Sequence, residues 1–320
     1  LVGPSSFIKV SDLPSFLVLL AARNGQDFIR QQLESILDQK DVRVSVLVRD
    51  DHSSDDTRNI LTELALADKR LHLWHDHSPT GSASANFFEL IRCAPLGGYE
   101  FVAFSDQDDI WLPEKLSRAA NALSTQQMQG YSSAVQAFWP GGRERLLLQS
   151  PKARMADYLF EGAGQGCTFV IAARLFLRFR ESLCKHSEWL PSLHFHDWAI
   201  YAMARSAGES WHFDPIPTML YRQHQGNDTG ARSSGLGIGR RILLIRLGWY
   251  RAQVRAVANF VLASNPGDYA ASTWIRLSTG DPRKVDWRGR LARAYFVARH
   301  GRRRISDRCV LVLAVACGYL

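Results

Sequence analysis

The chain lacks the features that define several large classes of protein. Its 320 residues contain no apolar run near the roughly 18 to 20 residues that a membrane-spanning helix needs; the longest stretches only from Cys309 to Cys317. Cysteine is scarce: there are five, at 93, 167, 184, 309 and 317. An odd set without a C-x-x-C pair excludes a disulfide framework and a zinc ribbon, and suits a reducing cytosol. The phosphate loop G-x-x-x-x-G-K-[ST] is absent, which argues against P-loop nucleotide hydrolysis, and the absence of G-x-S-x-G argues against an α/β-hydrolase. Two glycine-rich stretches, GAGQG at 162–166 and GLGIG at 235–239, lack the third-glycine spacing of a dinucleotide fingerprint. The opening LVGPSSFIKV has neither the basic start nor the long apolar core of a signal peptide, so a cytoplasmic protein is expected. With 46% hydrophobic and 22% charged residues, disorder and collagen-like architecture are excluded.

Acidic residues are in deficit. Lys plus Arg number 39 against 31 Asp plus Glu, a formal charge of +8. The excess sits in residues 231–320, with Arg240 and Arg241 and the run RHGRRR from Arg299 to Arg304, whereas the acids cluster at 50–51, 55–56 and 106–109. A basic tail of this kind reads as a solvated helix face, a contact with an anionic membrane surface, or a nucleic-acid contact.

Hydrophobic patterning alternates between short apolar runs and helical spacing. FLVLLAA at 16–22, the valines at 42, 44, 46 and 48, Leu71–Trp74 and Tyr99–Phe104 read as buried strands, and Ala134–Trp139, Thr168–Ala172 and Ile216–Tyr221 as further ones. Helices are expected around Phe28–Leu37, after a Ser54 or Asp55 cap, over Asn86–Arg92, from Pro113 to Leu123 and from His196 to Ala207. The alternation is that of an open α/β sheet, in which ligands sit at the carboxyl ends of the strands. Beyond Gly230 the character changes to Arg-rich amphipathic helices, which divides the chain into residues 1–230 and 231–320.

Polar residues gather at the strand ends. In Ser105-Asp106-Gln107-Asp108-Asp109-Ile110-Trp111, three carboxylates within four positions repel one another and need a cation, hydrogen bonds or full solvation. Grouped oxygen ligands suit Mg²⁺ or Mn²⁺; a solvated acidic turn is the competing reading. Asp50-Asp51 is either a helix-capping loop or a contact to a nucleobase or ribose. In His194-Phe195-His196-Asp197-Trp198 no Cys or Glu stands at a spacing that would complete a zinc site with the two histidines, and Asp197 is a helix cap or a general base. His224, after the last expected strand, reads as a structural histidine or a ligand.

Taken in order, these blocks resemble the family 2 glycosyltransferases of the GT-A fold, and among them the bacterial rhamnosyltransferase-like branch. The resemblance is carried by LLAARNGQDFIRQQLESIL, VLVRDDHSSDDT (with His52 where glycine is usual), AFSDQDDIWLPEKL, GCTFVIAARL, HDWAIYAMARSAG and YRQHQGNDTGAR, over roughly residues 14–232. One loop departs from the family pattern: Gly81 to Ala85, before Asn86-Phe87, has no basic residue.

The resemblance implies a GT-A catalytic domain with a C-terminal helical extension, and an inverting, metal-dependent glycosyltransferase. Such an enzyme moves a sugar, with dTDP-L-rhamnose favoured, from a nucleoside diphosphate to a glycan or lipid-linked acceptor in cell-surface polysaccharide synthesis. It implies Asp108 and His224 as ligands of Mg²⁺ or Mn²⁺ and Asp197 as catalytic base. Ala22, Arg23, Asn24, Asp50, Asp51, Asp106 and Gln107 would surround the nucleotide, and Asp109, Trp111, Trp198 and Cys167 the donor sugar or acceptor. A nucleotidylyltransferase would want a Gly-rich basic loop where ARNGQD stands. A nucleic-acid-binding protein would want aromatics interleaved with basic residues on a sheet face, where these strands are aliphatic. No nucleic-acid partner is therefore expected. The tail is expected either to pack on the catalytic domain or to meet the inner face of the plasma membrane. The candidates for that contact are Arg240, Arg241, Arg246 and Arg251 among apolar residues, and Arg299, Arg302, Arg303 and Arg304 ahead of Val310–Val315.

Overall fold

The computed structural model of the chain describes residues 12–74, 78–95, 97–150, 152–224 and 235–320. The LVGPSSFIKV opening, the QGNDTGAR stretch and the boundary expected at residue 230 lie outside the described residues. The first half alternates β1 (Ser15–Ala22), α1 (Ile29–Leu37), β2 (Arg43–Asp50), α2 (Thr57–Ala67), β3 (Leu71–Trp74), α3 (Ala83–Cys93) and β4 (Phe101–Ser105). It continues through β5 (Ile110–Trp111), α4 (Lys115–Thr125), β6 (Gly130–Phe138), β7 (Glu144–Leu147), β8 (Val170–Ala172), α5 (Ala173–Lys185), α6 (His196–Ser206) and β9 (Trp211–Arg222). Five helices close the chain: α7 (Gly235–Arg246), α8 (Trp249–Ser264), α9 (Tyr269–Leu277), α10 (Trp287–His300) and α11 (Ile305–Ala316).

Every strand expected from the sequence is present, and β5, β7 and α5 are additions. β5 has two residues and β7 is an exposed edge, so neither carries an apolar run. β9 is longer than the expected 216–221 because Pro215 and Pro217 mask its pattern. Prolines cannot donate to a ladder, and the β6–β9 pairing shifts register beside them, between Ser133 and Gln136.

The described strands form one nine-stranded sheet in the order β3-β2-β1-β4-β8-β6-β9-β5, with β7 on β6. β3, β2, β1 and β4 run parallel. Strand order reverses at β1, which sits between β2 and β4, and a crevice at such a switch point is where open α/β sheets bind ligands. β8 runs antiparallel to β4, so its start lies beside the end of β4. β9 runs parallel to β6 and antiparallel to β5.

Both faces of the sheet are covered, which explains why β1 is buried along its whole length. Phe16, Val18, Leu20 and Ala22 face a core built with α1, α2 and α4. Leu17, Leu19 and Ala21 face the other core, with α3, α5 and α6. That second core runs on without a break into Val254, Val257 and Phe260 of α8, Trp274 of α9, Phe296 of α10 and Leu311 and Val315 of α11.

The basic run ahead of α11 takes part in this docking. Arg303 is buried; its guanidinium donates to Asp157 Oδ2 (3.0 Å) and to the Gly162 carbonyl (2.8 Å). Asp157, itself fully buried, also accepts from Tyr201 Oη (2.8 Å) and from Arg205 (3.2 Å). Arg302 donates to the Phe160 carbonyl (3.0 Å) and lies over the Tyr250 ring. Of the two readings of the Arg299–Arg304 run, packing therefore holds for Arg302 and Arg303. The side chains of Arg240 and Arg241 lie outside the described residues. Removing one partner of a buried ion pair strands the other charge. Arg303→Met is expected to lower unfolding free energy by about 3 kcal/mol, read by urea denaturation.

Candidate active site

Three strand ends meet at the switch point, and their loops are laced together by hydrogen bonds. Asn24, at a left-handed φ of 50°, accepts from Ser54 N (2.8 Å) and takes Ser53 Oγ with its own N–H (2.7 Å). Gly25 N donates to Thr57 Oγ1 (2.8 Å), and Gln26 N to Asp55 (3.1 Å). His52 also has a left-handed φ, 58°, the conformation that favours glycine and explains why that residue is usual there. From the β4 side, Gln107 clamps the backbone of Arg23, accepting from its N–H (2.7 Å) and donating to its carbonyl (2.8 Å). Gly25 permits this approach, since a Cβ there would collide with the Gln107 amide.

The acidic loop lies between β4 and β5. Because β5 pairs antiparallel with β9, Ile110 faces Leu220 and the residues after Leu220 run past Asp109 and Asp108. Arg222 N donates to Asp109 Oδ1 (3.1 Å) and its Nε to the Asp108 carbonyl (2.9 Å). His224 then arrives with Nε2 at 2.7 Å from Asp108 Oδ2, its ring stacked on Phe28. Asp109 is buried, and its Oδ2 has no hydrogen-bond partner among the described residues. Burial, then the charges of Asp108 and Asp106, push its pKa well above the usual carboxylate range.

A carboxylate and an imidazole in contact, beside two further carboxylates, are a hard-donor set of the kind that divalent cations take. One oxygen each of Asp106 and Asp109 and the Cys167 sulfur also lie within 4.8 Å of one another. Burial raises the Cys167 thiol well above its ordinary pKa, so it stays protonated and is no ligand for a hard cation.

Asp197 stands in the first turn of α6, half-buried, with Trp198 N donating to its Oδ1 (2.6 Å). Burial lifts its pKa to about 6 against the backbone N–H bonds that oppose the rise. The glycines of GAGQG, set aside as a failed dinucleotide fingerprint, make room here. A Cβ on Gly166 would stand 3.0 Å from His196 Nε2 and 3.1 Å from Asp197 Cβ. His196 is stacked on Phe87 at 3.8 Å and buried, which pulls its pKa down to about 3 and keeps the ring neutral. His194 is exposed and its ring lies against Trp249, so the two histidines form no joint site.

Other candidates sit deeper than the sequence suggested. Trp111 is core, packed with Leu116 and Ala119 in the α4 layer, and Lys115 Nζ lies 4.6 Å from its ring centroid. Trp198 is core as well, donating to the Tyr158 carbonyl (2.7 Å). Cys167 is buried beside Asp109. These three are therefore buried rather than open to a sugar: β5 turns Trp111 into the core, the turn ahead of β8 does so for Cys167, and α6 for Trp198. Asp51 is buried and accepts from Thr80 N (2.6 Å), Gly81 N (3.0 Å) and Arg49 (3.3 Å). Burial raises its pKa, but these bonds outweigh it and hold the carboxyl below its ordinary value. Asp50 is half-buried and accepts from Ser53 N and Oγ. Ala22 is buried; its carbonyl accepts from Asp51 N (2.8 Å) and Asn86 Nδ2 (3.3 Å). Arg49 and Asn86, which sequence reasoning did not single out, are buried beneath the β2 end and hydrogen-bonded to each other (3.0 Å).

A sheet with its switch point at β1, an acidic loop after β4 with His224 against it, and Asp197 of raised pKa on α6 is the arrangement of a GT-A fold. The glycosyl transferase family 2 model matches residues 17–183. The dTDP-rhamnosyl transferase RfbG of Shigella flexneri is 38% identical over 75% of this chain and 83% of its own length. The teichuronic acid biosynthesis glycosyltransferase TuaG of Bacillus subtilis is 27% identical over 50% of this chain and 63% of its own. Among solved structures, Staphylococcus aureus TarS 1–349 superposes with a TM-score of 0.56 at 15% identity, covering 95% of this chain and 88% of that one. The chain belongs to glycosyl transferase family 2, and it is a glycosyltransferase that uses a nucleotide-activated sugar. The GT-A fold with a C-terminal helical region expected from the sequence is the fold observed.

The Gln107 clamp is testable. Gly25→Ala should displace the Gln107 amide and raise the donor KM severalfold with little change in kcat. Gln107→Ala should do the same, and the double variant no more than either alone, because all three remove one interaction.

Proposed function

We propose that the chain is an inverting, divalent-cation-dependent rhamnosyltransferase that uses dTDP-L-rhamnose. Its acceptor is a hydroxyl of a glycan or lipid-linked glycan in cell-surface polysaccharide synthesis on the cytoplasmic side. The observation that carries the chemistry is His224 on Asp108 (2.7 Å) in the Asp106–Asp109 loop, with Asp197, of raised pKa, beside Gly166, the neighbour of Cys167, which lies against Asp109. The donor rests on the likeness to RfbG over most of both chains. A nucleotide donor is further supported by TarS, one structure of which holds UDP. GalNAc-T7, with a TM-score of 0.54 at 12% identity over 80% of this chain and 52% of its own, has been solved with UDP and Mn²⁺.

In this reading residues 1–230 form the catalytic unit and 231–320 its helical extension. Asp50 faces the base and the Arg23–Asn24 turn lines the nucleotide pocket, while Asp51 keeps the 78–81 loop in place. Asp106 and Gln107 border the ribose and diphosphate. Asp108 and His224 hold Mg²⁺ or Mn²⁺, which when bound supplies Lewis-acid charge for the diphosphate leaving group. Asp197 takes the proton of the acceptor hydroxyl as that oxygen bonds the anomeric carbon and the bond to the diphosphate oxygen breaks. A single displacement from the face opposite the leaving group inverts configuration. Asp109 positions the sugar. Trp111, Trp198 and Cys167 act as the packed floor that fixes the carboxylates.

Two measurements test this. A base must be ionised to act, so with a pKa of about 6 at Asp197, kcat should fall as pH drops below about 6. Asp197→Asn should cost roughly 10²-fold or more in kcat with donor affinity nearly unchanged; a collapse of donor binding would place Asp197 in the nucleotide site instead. In thermal shift, dTDP with Mn²⁺ should stabilise the protein more than UDP or GDP, and Asp108→Ala should lose the Mn²⁺-dependent part. Equal shifts with all three nucleotides would overturn the dTDP donor.

A further inference from the structure

The outer face of the last two helices has an unusual composition. On α10, Trp287, Leu291 and Tyr295 recur every fourth residue and are 69%, 61% and 60% exposed. On α11, which packs beside α10, Ile305 and Leu313 are 71% and 64% exposed. The inner faces of the same helices, with Phe296, Val297, Leu311 and Val315, are buried in the main core, so the exposed stripe is a second apolar face. α10 has no acidic residue. The nearest acids are committed locally: Asp286 caps α10 through Gly289 N (2.9 Å) and Asp307 pairs with Arg302 (3.6 Å). Exposed Arg288 and Arg299 lie over the rings of Trp287 and Tyr295, with the guanidinium carbons 5.3 and 6.0 Å from the ring centroids.

We infer that this face of α10 and α11 is the surface on which the enzyme rests on a bilayer carrying anionic headgroups. Aromatic and aliphatic side chains beside arginines, on helices lying in the plane of the surface, match the boundary between headgroups and acyl chains. The charge selects an anionic leaflet. A second copy is a poor occupant, because an isologous contact would set two arginine-bearing faces against each other. A nucleic acid would leave Leu291, Ile305 and Leu313 unburied. No helix among the described residues is long and apolar enough to cross a membrane. It differs in part from the surface suggested by the sequence: Arg299 and Leu313 remain in it, Arg302 and Arg303 are spent on docking, and Trp287, Leu291 and Tyr295 join it. The inference stands apart from the identity of donor and acceptor.

Co-sedimentation of the full chain with phosphatidylcholine vesicles, with and without phosphatidylglycerol, tests it without any turnover. Binding to the anionic vesicles at low salt, weakened at high salt, is expected. The triple variant Trp287→Ser/Leu291→Ser/Tyr295→Ser should lower the partition coefficient at least about tenfold with an unchanged thermal midpoint. Leu291→Ser alone serves should the triple variant fold poorly. Arg288→Glu should lower binding at least about fivefold on anionic vesicles only. Three results would overturn the inference: no sedimentation at low salt, equal binding to neutral vesicles, or undiminished binding of the serine variants. A dimer in light scattering that the serine variants dissociate would assign the face to a second copy instead.

Discussion

Three carboxylates within four residues at the end of a buried strand are an electrostatic problem, and much of the molecule is arranged around it. Each oxygen placed there raises the cost of ionising its neighbours, and burial raises it again. The structure answers from several directions. β9 passes its Arg222 backbone N–H to Asp109 and brings His224 onto Asp108. The first turn of α4 contributes Lys115, buried against Trp111. Burial lowers the pKa of that ammonium to about 8, with the neighbouring Asp109 opposing the fall. Asp109 stays buried in that loop, its pKa pushed well above the usual carboxylate range by burial and by the charges of Asp108 and Asp106. Gln107, in the same loop, faces the other way and ties it to the β1 turn, so the acidic loop is held at both ends.

The surroundings of Asp197 are organised by packing rather than by charge. Asp197 owes its raised pKa chiefly to burial, and Gly166 in the Gly162–Thr168 segment matters for the space it leaves beside Asp197 and His196. That segment is held from behind by Arg303, whose guanidinium bonds the Gly162 carbonyl, within a network of Asp157, Tyr201 and Arg205. The C-terminal helices thus continue the core behind the sheet and support the segment beside Asp197. Their outward face remains apolar and basic, a combination that packing on the catalytic core does not explain.

Much of this was legible in the sequence. The run Phe16–Ala22 of β1 marks a strand buried on both faces because no polar residue interrupts it, and the valines of β2 mark the strand beside it. The acidic loop, the Asp50-Asp51 pair and the His-Asp-Trp helix start announce themselves as polar residues placed directly after apolar ones. Less legible were contacts that depend on direction. Trp111 and Trp198 look like sugar-binding indoles in a linear reading, yet both turn into the core. Asp50 and Asp51 are adjacent in sequence, but alternation along an extended chain sends their carboxylates to different partners. Arg49 stands between Val48 and Asp50 and gives no sign that it is buried against Asn86, 37 positions away.

By itself the sequence determined the order of elements, the class of fold and which residue types stand at the strand ends, since these follow from local periodicity and from polarity at fixed offsets. Only the tertiary structure decided which of those residues meet. The antiparallel register of β5 on β9 sets His224 against Asp108 across 116 positions. The antiparallel entry of β8 beside β4 buries Cys167 near Asp109. The same logic divides the basic tail into arginines that are buried and arginines that are displayed. Charge and spacing are equal for Arg302, Arg303 and Arg304 in the linear chain. The two acceptors that make Arg303 a core residue, Asp157 and the Gly162 carbonyl, lie more than a hundred residues upstream.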